Sequence, residues 1–116
     1  MRTLGFSLLL VTFVALAGCR SRVIEVTLIN SSSQPLSIIV VDYPGATFGV
    51  NQLAPNATYR YAVKPQSTGS LKIQFTDAQG QNHTYTGPEL HKNDEGGITV
   101  RLAQDKATSE TYLSAR

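Results

Sequence analysis

The sequence is short of several residue types, and each shortage excludes a class of chemistry. The 116 residues include one cysteine, no tryptophan and a single methionine, at position 1. One cysteine cannot form an intramolecular disulfide, so the fold must be stable through packing alone. Once the initiating methionine is lost by processing, no thioether is left to build a methionine-rich copper site.

Charge is also scarce and scattered. Charged residues make up 16% of the chain, whereas about a quarter is typical of soluble domains. The formal net charge is +2, and lysine and arginine form no run. A groove that follows nucleic-acid phosphates needs clustered positive charge. We therefore expect no nucleic-acid partner.

The first 18 residues have the organisation of an export signal. Arg2 supplies a positive start, and a mostly apolar stretch follows from Leu4 to Leu16. This stretch is shorter than the roughly 20 residues that a membrane-spanning helix needs. Its length and flanks suit the hydrophobic part of a signal peptide, so a cleaved N-terminal signal helix is predicted.

The signal ends in Leu16-Ala17-Gly18-Cys19, which closely resembles the lipobox of bacterial lipoproteins. The resemblance implies cleavage before Cys19, a diacylglycerol on its thiol, and hence no catalytic, metal-binding or redox role for that thiol. Arg20 follows, where an aspartate would imply inner-membrane retention. The resemblance thus implies a lipid-anchored protein of the cell envelope, at the outer membrane and facing the periplasm. An ordinary signal peptide with an incidental cysteine is the alternative.

The remaining chain alternates apolar and polar residues with period two, interrupted by turn residues at short intervals. This pattern predicts an all-β fold, an antiparallel β-sandwich of immunoglobulin-like type with six to seven strands. The Cys-Trp-Cys marker of antibody domains is absent, and a small barrel is the alternative architecture. The predicted strands cover residues 23–29, 36–43, 58–63, 71–76, 82–86 and 97–102, with a possible short strand at 47–50.

Four segments follow from this pattern. Residues 1–18 form the signal peptide, 19–22 a lipidated tether, 23–103 the sandwich, and 104–116 a polar, flexible tail without a core stripe. About three residues of extended tether keep the domain within roughly 10–15 Å of the lipid headgroups.

No catalytic constellation stands out. The two histidines are His83 and His91, and none of the serines lies in a Gly-x-Ser-x-Gly turn. We expect a non-enzymatic binding or scaffolding module without a cofactor. A hydrolase with an unrecognised site is the least favoured alternative.

One polar segment offers candidate metal ligands. Glu89, His91, Asp94 and Glu95 could supply oxygen and imidazole donors to a divalent ion. Their spacing matches no EF-hand or zinc motif, and Lys92 between them opposes cation binding. A solvated loop is favoured, and a small periplasmic metal-binding protein is the alternative function.

The segment around Pro44-Gly45 is the predicted contact surface. Tyr43 and Phe48 flank this turn, and aromatic residues on a loop above a rigid sandwich commonly recognise partners. An envelope protein or a glycan is the expected partner. The alternative is structural, with Phe48 closing the end of the core and Tyr43 ending a strand.

The mature domain is similar to small bacterial β-sandwich lipoproteins that have no assigned activity. The similarity covers most of residues 22–102 and implies no functional residues. It is carried by segments 41–45, 53–55, 71–77 and 86–90, together with the nearby Phe48-Gly49 pair.

Overall fold

A computed structural model describes residues 22–114, so the predicted signal peptide and Cys19 lie outside the described residues. Within this range the chain forms only strands and turns, and no apolar helix could cross a membrane. The eight strands are β1 Ile24–Asn30, β2 Leu36–Tyr43, β3 Ala46–Leu53, β4 Thr58–Val63, β5 Gly69–Thr76, β6 Asn82–Leu90, β7 Glu95–Leu102 and β8 Ala107–Ser114.

The strands form two four-stranded sheets that pack face to face. Sheet A has the order β4-β1-β7-β8, and sheet B has the order β3-β2-β5-β6. All neighbouring pairs are antiparallel except β1 and β7, which are parallel. The all-β sandwich is therefore confirmed. Its strand order differs from that of constant immunoglobulin domains, because β1 and β2 lie in different sheets whereas the first two strands of those domains are neighbours.

The core lies between the sheets and follows the period-two pattern. In β1, Ile24, Val26 and Leu28 point inward and are fully buried. In β5, Leu71, Ile73 and Phe75 meet them from the other sheet. Burying each such side chain contributes about 1.5–3 kcal/mol. The inward stripes of these strands agree with the sequence prediction.

The predicted flexible tail is wrong for most of its length, and the strand count is eight rather than six or seven. Strand β8 pairs with β7 along its whole length, from Leu102 opposite Ala107 to Glu95 opposite Ser114. Its inward residues include small ones such as Ala107 and Ser109, which are only half-buried. Because so few of its inward residues are apolar, the period-two pattern did not predict this strand, although it packs at the edge of the core.

Two strands also extend well beyond their predicted bounds. Strand β3 is a full strand paired with β2, joined to it by the tight turn Pro44-Gly45. Strand β6 runs on to the fully buried Leu90, so the connection to β7 is shorter than expected.

Side chains close both open edges between the sheets. Along the β3–β4 edge, the ring of Phe48 stacks on that of Tyr61 at a centroid distance of 4.3 Å. Along the β6–β8 edge, the Tyr85 hydroxyl lies 2.7 Å from Ser109 Oγ. These contacts bind the sheets together where the backbones do not pair.

The sandwich has two ends, which we name from the start of β1. The proximal end holds the start of β1, the β2–β3 turn and the β4–β5 and β6–β7 connections; there the Gln66 amide donates to the Pro44 carbonyl at 2.8 Å. The distal end holds the end of β1, the turns of residues 31–35 and 54–57, and the β5–β6 and β7–β8 turns.

Candidate functional site

Sheet B carries an open groove near the distal end, which we call the distal groove. Its volume is about 360 Å³. Most of its outward side chains are hydroxyls and amides from β5 and β6, with apolar groups from β2 beside them. The lining residues are Ile38, Val40, Gln74, Phe75, Thr76, Asn82, His83 and Thr84.

Ile38 is the most unusual residue of the groove. Its side chain is 65% exposed, and its backbone φ is 50°. A β-branched residue in this left-handed region is an outlier that costs about 1–3 kcal/mol. Strain of this kind tends to persist at functional positions.

A β-bulge explains the position of Ile38. Ser37 pairs with Thr76 and Val40 pairs with Gln74, so Ile38 and Ile39 together stand opposite Phe75. The extra residue allows Ile39 to remain fully buried while its neighbour turns outward. The sequence predicted a strand at residues 36–43 but did not reveal the bulge.

An acid–histidine pair adjoins the groove. Asp77 begins the β5–β6 turn and is 7% exposed. Its Oδ1 accepts hydrogen bonds from the backbone N–H groups of Gln79 and Gln81, both at 2.9 Å. Its Oδ2 lies 2.8 Å from Nε2 of His83. This network lowers the pKa of the Asp77 carboxyl, chiefly through the His83 hydrogen bond and then through the backbone amides.

The sequence predicted strands at residues 71–76 and 82–86, and the Gly80 amide closes the turn between them by donating to the Asp77 carbonyl at 3.0 Å. The sequence did not predict the pairing with His83. The signal was the turn itself, because a hairpin brings the residues just before and after it side by side.

The predicted contact pair is placed differently. Phe48 is only 7% exposed and belongs to the core, so it cannot offer a free surface. Its ring packs against Tyr43, Tyr59 and Tyr61, with centroids 4.3–6.5 Å away. Tyr43 is half-buried, and burial, followed by the nearby Tyr61, raises the pKa of its hydroxyl. The residue exposed in this cluster is Tyr61.

The candidate metal ligands come together only in part. His91 lies 3.4 Å from Glu89 and 3.6 Å from Asp94 through its two ring nitrogens. Asp94 accepts the backbone N–H of His91 at 3.0 Å and so holds the turn, while Glu95 faces Arg22 at 3.9 Å. Within residues 22–114 no group of three or more histidine, cysteine or acidic side chains is arranged to hold a metal ion.

Comparison with known proteins supports the architecture. No protein family and no curated protein matches the sequence. A solved NMR structure of a protein from Eubacterium rectale is similar, with a TM-score of 0.58 at 17% identity. The alignment covers 80% of this chain and 93% of that one. At this identity the similarity shows a shared β-sandwich fold.

Proposed function

We propose that the protein is a lipid-anchored, non-enzymatic binding module of the bacterial cell envelope, held at the outer membrane and facing the periplasm. Cys19 carries the lipid, and the distal groove receives the partner. The observation that carries this proposal is the groove itself, open and edged by the strained, exposed Ile38, at the end of the sandwich opposite the start of β1.

The geometry suits an anchored protein. Five Cα–Cα steps join Cys19 to Ile24, the first residue of β1. Fully extended, they span at most about 18 Å. The proximal end then faces the lipid headgroups, and the distal groove is directed away from the membrane, where another envelope molecule can reach it.

The chemistry of the distal groove favours an uncharged, extended segment of an envelope protein. Its outward groups are the amides Gln74 and Asn82 and the hydroxyls Thr76 and Thr84, which can donate and accept hydrogen bonds without selecting a charge. Ile38 and Val40 add apolar surface. Among the lining residues the only titratable side chain is His83, and Asp77 already engages it.

The same contacts support a binding role over catalysis. Asp77 is occupied by two backbone amides as well as by His83, so it serves to hold the β5–β6 turn. Within the described residues no hydroxyl donates to either histidine ring, so no nucleophile–base pair is assembled.

The anchor is tested by lipid labelling. Labelled palmitate is expected to enter the wild-type protein in growing cells and not the Cys19→Ser variant. Equal labelling of the two proteins contradicts the anchor. As a check on folding, export from the cytoplasm and protease resistance of the domain are compared between the two proteins.

The groove is tested by in-cell crosslinking and recovery of the partner. Ile38→Asn is expected to lower recovery several-fold, because it removes the exposed apolar group. Since asparagine tolerates a positive φ, the variant should also be about 1 kcal/mol more stable than wild type. A loss of binding therefore does not reflect unfolding.

Tyr112→Asn is the matched control, since Tyr112 is 66% exposed on β8 in the other sheet. Unchanged recovery with Ile38→Asn, or an equal loss with Tyr112→Asn, contradicts the assignment of the groove. Recovery of a glycan in place of a protein changes the partner class.

A further inference from the structure

The proximal end carries a second cavity, of different chemistry from the distal groove. Its volume is about 200 Å³, and it is lined by Arg22, Lys64, Pro65, Gln66, Lys92 and Asn93. Three of these side chains are cationic and none is acidic. We call this cavity the basic pocket.

Three separate segments supply the cations. Arg22 precedes β1, Lys64 follows β4 and Lys92 lies in the β6–β7 connection. The pairing of Ile24 with Val63 and with Gly96 brings these segments to one end. Charges that are scattered along the sequence thus converge in the fold.

The two lysines are available to a ligand. Within residues 22–114 no ion pair joins Lys64 or Lys92 to a carboxylate. Of the nearby acids, Asp94 is bound to His91, and Glu95 faces Nε of Arg22 at 3.9 Å while both side chains stay partly exposed. The amide side chains of Gln66 and Asn93 add polar groups to the lining.

We infer that the basic pocket binds the phosphate of an anionic phospholipid headgroup in the membrane that holds the protein. Guanidinium and ammonium groups bind phosphate through charge-assisted hydrogen bonds. The inference rests on the proposed anchor, because Arg22 is three residues from Cys19 and the tether keeps the pocket near the headgroups. A basic site beside a lipid chain strengthens and orients membrane attachment.

The test measures the reactivity of lysines in the full, lipidated protein reconstituted into vesicles. Acetylation rates are followed by mass spectrometry in phosphatidylcholine vesicles and in vesicles with one quarter phosphatidylglycerol. Lys64 and Lys92 are expected to react about fivefold more slowly in the anionic vesicles, since each cation gains about that factor near an anionic surface.

Two lysines outside the pocket are internal controls. Lys72 is exposed on β5, and Lys106 is exposed in the distal β7–β8 turn. Their rates should be the same in both vesicles. Equal protection of all four lysines indicates a general surface effect and overturns the inference, as does no protection of Lys64 and Lys92.

Further experiments distinguish lipid phosphate from free phosphate. They also distinguish a failure of the basic pocket from a failure of the proposed lipid anchor. Inorganic phosphate added to phosphatidylcholine vesicles should not protect the pocket lysines; if it does, the site takes a free anion and the lipid assignment is wrong. Lys64→Gln should weaken the protection of Lys92, whereas Lys106→Gln should not. If palmitate labelling fails, the protein is mixed with the same preformed vesicles: selective protection then supports the pocket without the anchor, and its absence overturns the inference.

Discussion

At the distal end, one buried amide joins three segments of chain. Asn30 is fully buried, and its Nδ2 donates to the carbonyls of Leu53 at 2.9 Å and Gln34 at 2.8 Å. Its Oδ1 accepts the backbone N–H of Ser32 at 2.9 Å. The end of β1, the β1–β2 turn and the end of β3 are therefore held by side-chain hydrogen bonds.

At the proximal end, close contact between backbone segments holds the chain together. Gly96 has a φ of 136°, and a Cβ at this position would lie 1.9 Å from the carbonyl oxygen of Tyr112. Its amide donates to the Val23 carbonyl at 3.2 Å. The side chain of Asp94 accepts one hydrogen bond in the turn, from the backbone N–H of His91. The cationic side chains of this end are left to face outward.

The two ends therefore differ in how their segments are held together and in the groups they present. At the distal end the buried polar groups are satisfied within the domain: Asn30 by backbone groups, and the Asp77 carboxylate by His83 and two backbone N–H groups. The proximal end is tightened by backbone contacts and presents Lys64 and Lys92, which pair with no carboxylate within residues 22–114. The proposed anchor and groove require this division, because a positively charged distal groove would itself be drawn to an anionic membrane.

The largest expected effect is at Gly96. Gly96→Ala should cost about 3–5 kcal/mol of unfolding free energy, through overpacking against the β8 backbone and an unfavourable φ. Gly80→Ala is the distal control: its φ is 83°, but a Cβ there meets nothing within 4 Å. It should cost only about 1–2 kcal/mol. Urea denaturation measures both, and similar costs would mean that the proximal backbone contact is not tight.

A smaller effect is expected from the buried amide. Asn30→Ala leaves the Leu53 carbonyl and the Ser32 amide without their partner and should cost about 3 kcal/mol. Asp94→Ala, at the proximal end, removes one turn bond and should cost about 1.5 kcal/mol. Thermal and urea unfolding check the ranking. If Asp94→Ala proves the more costly, side-chain hydrogen bonds do not stabilise the distal end more than the proximal end, and the comparison is wrong.

The sequence predicted the features that depend on neighbouring residues. The alternation of apolar and polar residues in β5 is such a local pattern, and the strand is confirmed. The role of Asn30 was not predictable, because its partner Leu53 is 23 residues away and Asn30 reads as part of a polar turn. The bulge at Ile38 arises from the register against β5, which alternation within β2 does not contain.

The candidate sites could not be predicted from the sequence, because they too are formed by residues that are distant along the chain. Arg22, Lys64 and Lys92 are isolated in sequence and meet only through the pairing of β1 with β4 and β7. Phe48 looked like a loop residue because Pro44-Gly45 and Gly49 surround it. The tight turn instead places it in a strand whose inner face is covered by the tyrosines of β4.

The smallest expected effect is the acid sensitivity of the distal end. Hydrogen bonds from His83 and two amides hold the pKa of Asp77 below its ordinary value of 3.8. A carboxyl whose pKa is lower in the folded state stabilises the fold above its unfolded pKa, and this stabilisation is lost as pH falls through the folded value. The melting temperature should therefore be steady above about pH 5 and decline below pH 4.

Asp77→Asn should be less stable near neutral pH but should show a shallower decline in acid, because the titrating group is gone. His83→Ala removes the largest cause of the lowered pKa, so the Asp77 carboxyl should titrate closer to 3.8 in a carbon-detected NMR titration. An Asp77 titration that is unchanged by His83→Ala would show that the backbone amides alone stabilise the Asp77 carboxylate. The β5–β6 turn would then be independent of the groove-lining histidine, and the distal end would consist of two separately stabilised turns.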